Sequence, residues 1–515
     1  MNKSISHNSG RTPLFSQVRK WMRQAHAQNL LERGGPVVSR RTVVRTGAAG
    51  LAATTLGVLP AMAANQPKIV IVGAGMAGLN AAYHLKKRGF TSSIYEGSNR
   101  TGGRMFTAKG IMGPGLTTEL GGEFIDTGHK DMRDLAREFG FDLLDFGKGF
   151  EKTLDIAYYF NGHHFTEADV IAAFQPVAAV MAEDANNFVF DSYQSYNALA
   201  DQLDHTSIAD YLTQAGATGW LNELLDVAYN IEYGLESSEQ SSLNLLYLIG
   251  TDMTQGFSIY GESDERFTIK GGNQQLTDAI TDRLIDQISL GYKLVQIKSR
   301  GQGFRLTFDK AGGGTKQVDC DYALLTLPFT MLREVDIQVA LPPVKRQAID
   351  ELGYGTNAKL IMGFNDRFWR NDGLDGEWFT DNGLQSGWDS SRGQGGTKGS
   401  LTYFPGGHNG VLLGAGTPEA QRNLALPLLN QIFPGATSRH NGRVVRFHWP
   451  THPWTKGSYA AYRVGQYTAF SGAEIEPVGQ LYFAGEHCSS DFQGYMNGAA
   501  ETGRRAAKAI ALAIH

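Results

Sequence analysis

Six residues constrain this chain more than any others. Gly73-Ala74-Gly75-Met76-Ala77-Gly78 follows directly on Lys68-Ile69-Val70-Ile71-Val72, a short apolar run rich in β-branched residues. Such a run suits a buried parallel strand. Beyond the glycines, Leu79, Ala82, Tyr83 and Leu85 recur at helical spacing up to Gly89, where a helix would stop. A second strand, Ser93-Ile94-Tyr95, ends in Glu96. The glycines serve different physical ends. Gly73 permits the tight turn, Gly75 lets a pyrophosphate approach the backbone, and Gly78 lets helix and strand pack closely. Met76 and Ala77 open the helix, whose free N–H groups and positive dipole end attract the phosphates, worth about 0.3–1 kcal/mol per nearby charge. Glu96 is placed to accept both ribose hydroxyls and would repel a 2′-phosphate, which argues against NADP. Strand, turn, helix and acid together predict a dinucleotide site, but they do not separate FAD from NAD.

A chain of 515 residues has room for about two or three domains. Its 42% hydrophobic content and only 16 prolines exclude a largely disordered chain. Two cysteines, Cys320 and Cys488, are too few for a disulfide scaffold or a four-cysteine zinc site. Charge is unevenly placed. Residues 1–45 carry nine basic side chains against one acid, Glu32, so an overall net charge of −4 leaves about −12 on the rest. Phosphate contacts need clustered Lys and Arg, so nucleic acid is excluded as a partner.

The basic start is read as an address. Ser39-Arg40-Arg41-Thr42-Val43-Val44 precedes an uncharged apolar stretch, 48–59, and then Ala61-Met62-Ala63. Basic region, apolar region and small-x-small cleavage site follow the order of a secretory signal. The paired arginines resemble a twin-arginine export signal, although Val stands where Phe is common and the leader is long. The expectation is a signal over 1–63, export by the twin-arginine machinery to the periplasm or beyond, and a mature start near Ala64. An uncleaved N-terminal anchor is the alternative. No later run reaches the about 18 apolar residues of a membrane helix, so stable membrane insertion of the mature form is not expected.

Three further stretches carry chemistry. Arg100-Thr101-Gly102-Gly103-Arg104 lies just past the second strand; Gly103 allows close backbone approach and Arg104 can pair with a pyrophosphate. Near the C-terminus, Leu481-Tyr482-Phe483-Ala484-Gly485-Glu486 reads as a strand ending in Gly-Glu. Gly494-Tyr495-Met496-Asn497-Gly498 then opens a helix with Ala499, Ala500, Gly503, Ala506, Ala507 and Ile510 on one face. Its N-terminus is a second positive dipole end, suited to a flavin ring that becomes anionic on reduction.

These stretches resemble the flavin-containing amine oxidase superfamily, which includes monoamine, polyamine and L-amino-acid oxidases. Family-like stretches recur over most of residues 66–515. Arg266-Phe267-Thr268-Ile269-Lys270-Gly271-Gly272 resembles the family's entry into its second flavin-binding segment. The resemblance implies an α/β architecture: a Rossmann-like FAD-binding domain in three segments, 66–109, 266–335 and 446–515, with an α+β substrate-binding domain inserted as 110–265 and 336–445. Helical stretches are expected at 220–229 and 243–249. The implied cofactor contacts are Gly73, Gly75, Met76, Ala77, Gly78, Glu96, Gly103, Arg104, Val295 (through its backbone, to adenine), Glu486, Tyr495 and Met496.

The resemblance also implies a chemistry: hydride transfer from the carbon bearing nitrogen to the flavin, with O2 as acceptor and peroxide as product. Lys359, followed by Phe368-Trp369, matches the family's lysine that holds a water at flavin N5. Tyr459 and Tyr495 match the aromatic pair that flanks the substrate nitrogen, a cation–π arrangement worth about 0.5–2 kcal/mol. Tyr462 reads as ordinary core. Ser458 stands where mitochondrial-type monoamine oxidases have their flavin-linking cysteine, so FAD should be non-covalent. His163, His164, His448 and His452 lack metal-ligand spacing, and no metal is expected.

The substrate is expected to be a small amine. L-Amino-acid oxidases carry an arginine for the α-carboxylate just after the motif matching Glu119-Leu120-Gly121-Gly122. Here Phe124 occupies that place, and Glu123 beside it would repel a carboxylate if it faced the pocket. The rivals are an L-amino-acid oxidase or a tryptophan 2-monooxygenase-like enzyme, with a clamp such as Arg392 or Arg463 supplied from elsewhere; a dehydrogenase passing electrons to a quinone or carrier protein; and a flavoprotein without catalysis. A homodimer is compatible with the sequence, which does not require one.

Overall fold

The glycine motif lies at the centre of a five-stranded parallel sheet. The computed structural model describes residues 67–254 and 256–514, and the leader expected over 1–63 falls outside them. Across the sheet the strands run Ile288–Leu290, Ser92–Glu96, Ile69–Val72, Tyr322–Leu325 and Leu481–Phe483. Every neighbouring pair is parallel. The sheet therefore draws its strands from stretches far apart in the chain.

The central strand, Ile69–Val72, is buried throughout. Its period of two divides it between two cores. Ile69 and Ile71 pack with Leu79, Leu85 and Ile510, whereas Val70 and Val72 pack with Ile297, Leu306 and Phe308. Each fully buried aliphatic side chain stabilises the fold by about 1.5–3 kcal/mol. On the first face, the helices Met76–Lys87 and Met496–Ile514 pack backbone to backbone. A Cβ on Gly503 would lie 2.3 Å from the Ala77 carbonyl oxygen, and Asn80 Nδ2 donates to the Ala500 carbonyl at 2.6 Å. The opposite face is covered by a four-stranded sheet, Thr315–Cys320, Gly303–Lys310, Tyr292–Arg300 and Asp336–Gln338.

A seven-stranded sheet forms the second layer system, in the order His440–His448, Ala358–Phe364, Gly399–Tyr403, Ser386–Asp389, Leu374–Thr380, Asp155–Phe160 and His163–Phe165. Leu374–Thr380 and Asp155–Phe160 pair in parallel, and the other pairs are antiparallel. Helices between residues 167 and 248 pack around Phe174, Leu224, Leu225 and Tyr229. The expected helical stretches are Gly219–Tyr233 and Ser242–Leu248. Gly234, at φ 69°, ends the first in the left-handed conformation that favours glycine. The α/β class is as expected, with a Rossmann-like parallel sheet and an α+β part. Among the described residues, no helix is long and apolar enough to cross a membrane, and Cys320 and Cys488 are both buried and free.

Candidate active site

Two glycine loops meet at the end of the central strand. Gly73, at φ 105°, turns the chain, and a Cβ on Gly78 would lie 2.0 Å from the Gly73 carbonyl oxygen, so only glycine fits there. The Gly102 amide donates to the Ala74 carbonyl at 2.8 Å, and a Cβ on Gly103 would lie 3.2 Å from Gly75 Cα. Glu96 accepts the Ala74 amide on one carboxylate oxygen and the Ser98 amide on the other, each at 2.8 Å. The acid is thereby fixed beside the turn. Arg104 Nη1 donates to the Ser458 carbonyl and to Glu486 Oε1, both at 2.8 Å. Glu486 Oε2 in turn accepts the Gly494 amide at 2.9 Å. Three segments distant in sequence, around Arg104, Ser458 and Glu486–Gly494, are tied into one wall by this arginine and this glutamate.

Val295 is the extra residue of a β-bulge: Leu294 pairs with Phe308 and Gln296 with Thr307 across the strands, which leaves Val295 out of register. A bulged residue keeps its backbone groups out of the ladder and available to another partner. His487, 1% exposed, has no partner on either ring nitrogen among the described residues, and burial pushes its pKa down to about 3. A cradle that a single Cβ would fill, a fixed acid and a buried neutral imidazole fit a dinucleotide-type flavin.

The two tyrosines expected to flank the substrate converge on one residue. Tyr459 donates its hydroxyl to the Glu232 carbonyl at 2.5 Å. Tyr495 donates to Glu232 Oε1 at 2.9 Å. Burial pushes both phenols well above their ordinary range, so both remain donors at neutral pH. Burial also raises the Glu232 carboxyl to about 7. Asp126 adjoins it, accepting from Ser263 Oγ at 2.7 Å and from the Glu265 amide at 3.0 Å; burial raises its carboxyl to about 6. The ring of His129 packs 5.0 Å from that of Tyr495.

Lys359 projects from the fully buried strand Ala358–Phe364. Its ammonium donates to the Glu119 carbonyl at 3.1 Å, the Gly121 carbonyl at 3.0 Å and Glu123 Oε2 at 2.7 Å. An ammonium has three protons, and three acceptors are present. Trp388 lies under the same charge at 5.1 Å. Met496 packs into the loop that Lys359 holds: a Cβ on Gly122 would lie 2.8 Å from Met496 Sδ. Lys359 thus belongs to the wall formed by residues 119–124 and the helix that begins at Met496.

Phe124 stacks edge-on to Trp388 at 5.3 Å. It lines a pocket together with Glu119, Glu123, Phe146, Asp389 and Arg392. Burial raises the Glu119 carboxyl to about 8. Arg392 is flanked by Glu151 at 3.6 Å and Asp375 at 3.4 Å. Arg463 pairs instead with Glu239 at 2.7 Å, and both side chains are more than 40% exposed. Tyr462 is core, its hydroxyl donating to Glu474 Oε1 at 2.9 Å. Sequence reasoning missed Glu232, Glu265, Asp126 and Trp388. Only Glu232 left a signal, since it falls in helical register with Leu221, Leu225 and Ala228 on a buried stripe.

Comparison with known proteins bears on this arrangement. The profile of the family described as "Flavin containing amine oxidoreductase" matches residues 76–511. An L-amino acid dehydrogenase of Synechocystis sp. is 24% identical over 463 residues, covering 86% of this chain and 94% of that protein. The flavin-dependent L-tryptophan oxidase RebO of Lentzea aerocolonigenes is 28% identical over 491 residues, covering 87% and 99%. Among solved structures, cyclohexylamine oxidase from Brevibacterium oxydans superposes with a TM-score of 0.77 at 23% identity, covering 87% of this chain and 99% of that one. A putrescine oxidase bound to putrescine gives 0.74 at 21% identity, covering 86% and 98%.

Proposed function

The chain belongs to the flavin-containing amine oxidoreductase family, and on that premise we propose that it oxidises a small amine with non-covalently bound FAD and passes the electrons to O2. The products would be an aldehyde or ketone, ammonia or a smaller amine, and hydrogen peroxide. The observation that carries this reading is the convergence of Tyr459 and Tyr495 on Glu232, beside the wall tied by Arg104 and Glu486.

Bound FAD supplies a two-electron acceptor for the hydride leaving the carbon next to nitrogen. The residues assigned to it are the glycine turn from Gly73 to Gly78, Glu96 for the ribose, Gly103 and Arg104 for the pyrophosphate, the Val295 backbone for adenine, and Glu486, Tyr495 and Met496 nearer the ring. We place them in a cofactor domain of segments 66–109, 266–335 and 446–515, with the substrate domain in 110–265 and 336–445. Tyr459 and Tyr495 orient the amine by their faces, and their hydroxyl bonds to Glu232 fix the ring planes. Lys359 contributes a fixed positive charge in a water-poor wall, which favours the negative charge that develops on oxygen. Ser458 Oγ donates to Asn357 Oδ1 at 2.7 Å and offers no thiol for a covalent link.

A second reading, an L-amino-acid oxidase or dehydrogenase, is favoured by Arg392 in the wall that also holds Phe124 and by the relatives that act on L-amino acids. Against it, Arg392 already has two carboxylate neighbours, and Phe124 offers no hydrogen bond to a carboxylate. Export through the twin-arginine route completes the proposal. The test is anaerobic bleaching of the bound flavin by amines, followed by oxygen and peroxide stoichiometry. Bleaching without oxygen uptake would replace the oxidase by a dehydrogenase. Retention of an Arg40→Lys/Arg41→Lys precursor in the cytoplasm tests the export route.

A further inference from the structure

A continuous line of hydroxyls joins two carboxyl groups beside the aromatic pair. Tyr495 has one phenolic proton and two acceptors for it, Glu232 Oε1 at 2.9 Å and Ser263 Oγ at 3.3 Å. Ser263 Oγ in turn donates to Asp126 Oδ2 at 2.7 Å. A hydroxyl both donates and accepts, so each link can take a proton on one side and give one up on the other. Asp126 is held in place at the far end. Its backbone amide donates to His129 Nδ1 at 2.9 Å, which leaves the ring proton on Nε2, 3.2 Å from Asp126 Oδ2. The Glu265 amide donates to the other carboxylate oxygen at 3.0 Å. Asp126 is 4% exposed, but Thr127 and Asp264 beside it are exposed and bonded to each other, amide to carboxylate at 2.8 Å and hydroxyl to carboxylate at 2.6 Å. The line therefore runs from the half-buried Glu232 of the proposed amine site toward the protein surface.

An amine that arrives as an ammonium has no lone pair on nitrogen, and it must lose one proton before the C–H electron pair can leave as hydride. We propose that Glu232 takes this proton and that Tyr495 and Ser263 relay one to Asp126, with Ser263 as the link that no other side chain replaces. The step balances. An N–H bond of the ammonium breaks and an O–H bond forms on Glu232. The Glu232 proton then passes to the Tyr495 oxygen, the Tyr495 proton to Ser263 Oγ, and the Ser263 proton to Asp126 Oδ2. Neutral amine, ionised Glu232 and protonated Asp126 remain, and no electrons have moved. The hydride then leaves for the flavin and an iminium is left behind. Glu232 and Tyr495 touch the substrate in this account, whereas Ser263 and Asp126 act through them and His129 orients Asp126. Burial raises both end carboxyls, Glu232 to about 7 and Asp126 to about 6, so the proton moves between groups of similar affinity. Glu232 faces the phenols of Tyr229, Tyr233, Tyr260 and Tyr459 and the carboxyl of Glu265; Asp126 faces Asp264 and Glu265. This rests on the amine-oxidising reading of the same site and adds how its substrate is deprotonated.

The experiment follows anaerobic flavin reduction by tryptamine in stopped flow, on the wild-type holoenzyme, Ser263→Ala and Ser263→Thr, from about pH 6.5 to about pH 10. At the acid end nearly all of the amine is ammonium, and Ser263→Ala should reduce its flavin about 10-fold or more slowly than wild type, toward the low end of what a positioned proton-transfer group contributes. The deficit should shrink to about twofold at the alkaline end, where part of the amine arrives neutral. Ser263→Thr keeps the hydroxyl and should recover most of the rate, and added imidazole, which can take the proton directly, should speed Ser263→Ala and leave wild type as it was. Should Ser263→Ala fail to fold, Asp126→Asn removes the final acceptor and carries the same comparison. A deficit that is equal across the pH range and rescued by neither threonine nor imidazole marks a purely structural serine and overturns the proposal, as does the absence of any deficit. If tryptamine leaves the flavin oxidised and L-tryptophan bleaches it, the amine reading fails, and the relay is tested unchanged on L-tryptophan, whose α-ammonium must lose the same proton.

Discussion

Lys359 Nζ lies 2.7 Å from Glu123 Oε2, and the two side chains are only 3% and 9% exposed. The pair links the strand Ala358–Phe364 of the seven-stranded sheet to the loop that Met496 packs against, so it is shared by the proposed substrate wall and the proposed cofactor wall.

Lys359→Met removes one partner and leaves Glu123 buried without its cation. A broken buried pair is expected to destabilise the fold by about 3–5 kcal/mol. Lys359→Met/Glu123→Gln should recover most of that loss, because the orphaned charge is gone. Denaturant melts of the two singles and the double form the cycle that measures it. In stopped-flow, Lys359→Met should slow reoxidation of the reduced enzyme by oxygen more than it slows reduction by amine. Unchanged reoxidation would remove Lys359 from the oxygen step.

Glu232 gives a pH signature. Its carboxyl is raised by burial from 4.5 to about 7, so it is neutral in acid and ionised above neutrality. A cationic amine is attracted only to the ionised form. We expect kcat/KM to rise with pH through an apparent pKa of about 7, and Glu232→Gln to abolish that limb. The sign for stability is the opposite. The folded state holds this proton more tightly than the unfolded chain, so the contribution is full below 4.5 and is lost as pH rises to about 7.

Gly78→Ala tests the cofactor turn. The added methyl would lie 2.0 Å from the Gly73 carbonyl oxygen, and backbone atoms cannot yield by that much without reshaping the turn. The variant should purify with little or no bound flavin. A normal flavin content by absorbance would mean that the turn is not the cofactor cradle.

The local pieces of this fold were legible because their causes are local. Val70 and Val72 against Ile69 and Ile71 express strand periodicity, and the crowding at Gly78 follows from a strand–turn–helix geometry that six residues determine. Motifs at fixed spacing singled out Glu96, Arg104 and Glu486, which the structure holds at the glycine turn and in the Arg104–Glu486 pair. The acidic wall was not. Glu232 and Tyr495 are 263 residues apart, and a glutamate in a helix most often reads as a solvated residue. Asp126 is held by Ser263 and by the Glu265 amide, contacts from a distant segment of the chain that leave no trace in one sequence. Phe124 was placed by motif, but its Trp388 neighbour depends on how a sheet strand from residues 386–389 closes over the loop.

The environment of Ser458 predicts how flavin leaves the protein. With its hydroxyl bonded to Asn357 and both cysteines buried elsewhere, denaturation in acid should release all of the yellow chromophore as FAD. Flavin retained by the washed precipitate would contradict non-covalent binding.

The central claim is that the site takes an amine without an α-carboxylate. Phe124 stands where a clamp would be required, and Arg392 is engaged by Glu151 and Asp375. A carboxylate buried without a partner is unfavourable by several kcal/mol, or orders of magnitude in specificity. The direct measurement is kcat/KM for matched pairs that differ only in that group, beginning with tryptamine and L-tryptophan and extending to agmatine and L-arginine. The account predicts the amine ahead in each pair. L-Amino acids ahead by about tenfold across the pairs, a difference of about 1.4 kcal/mol in transition-state binding, would contradict it and make the enzyme an amino-acid oxidase.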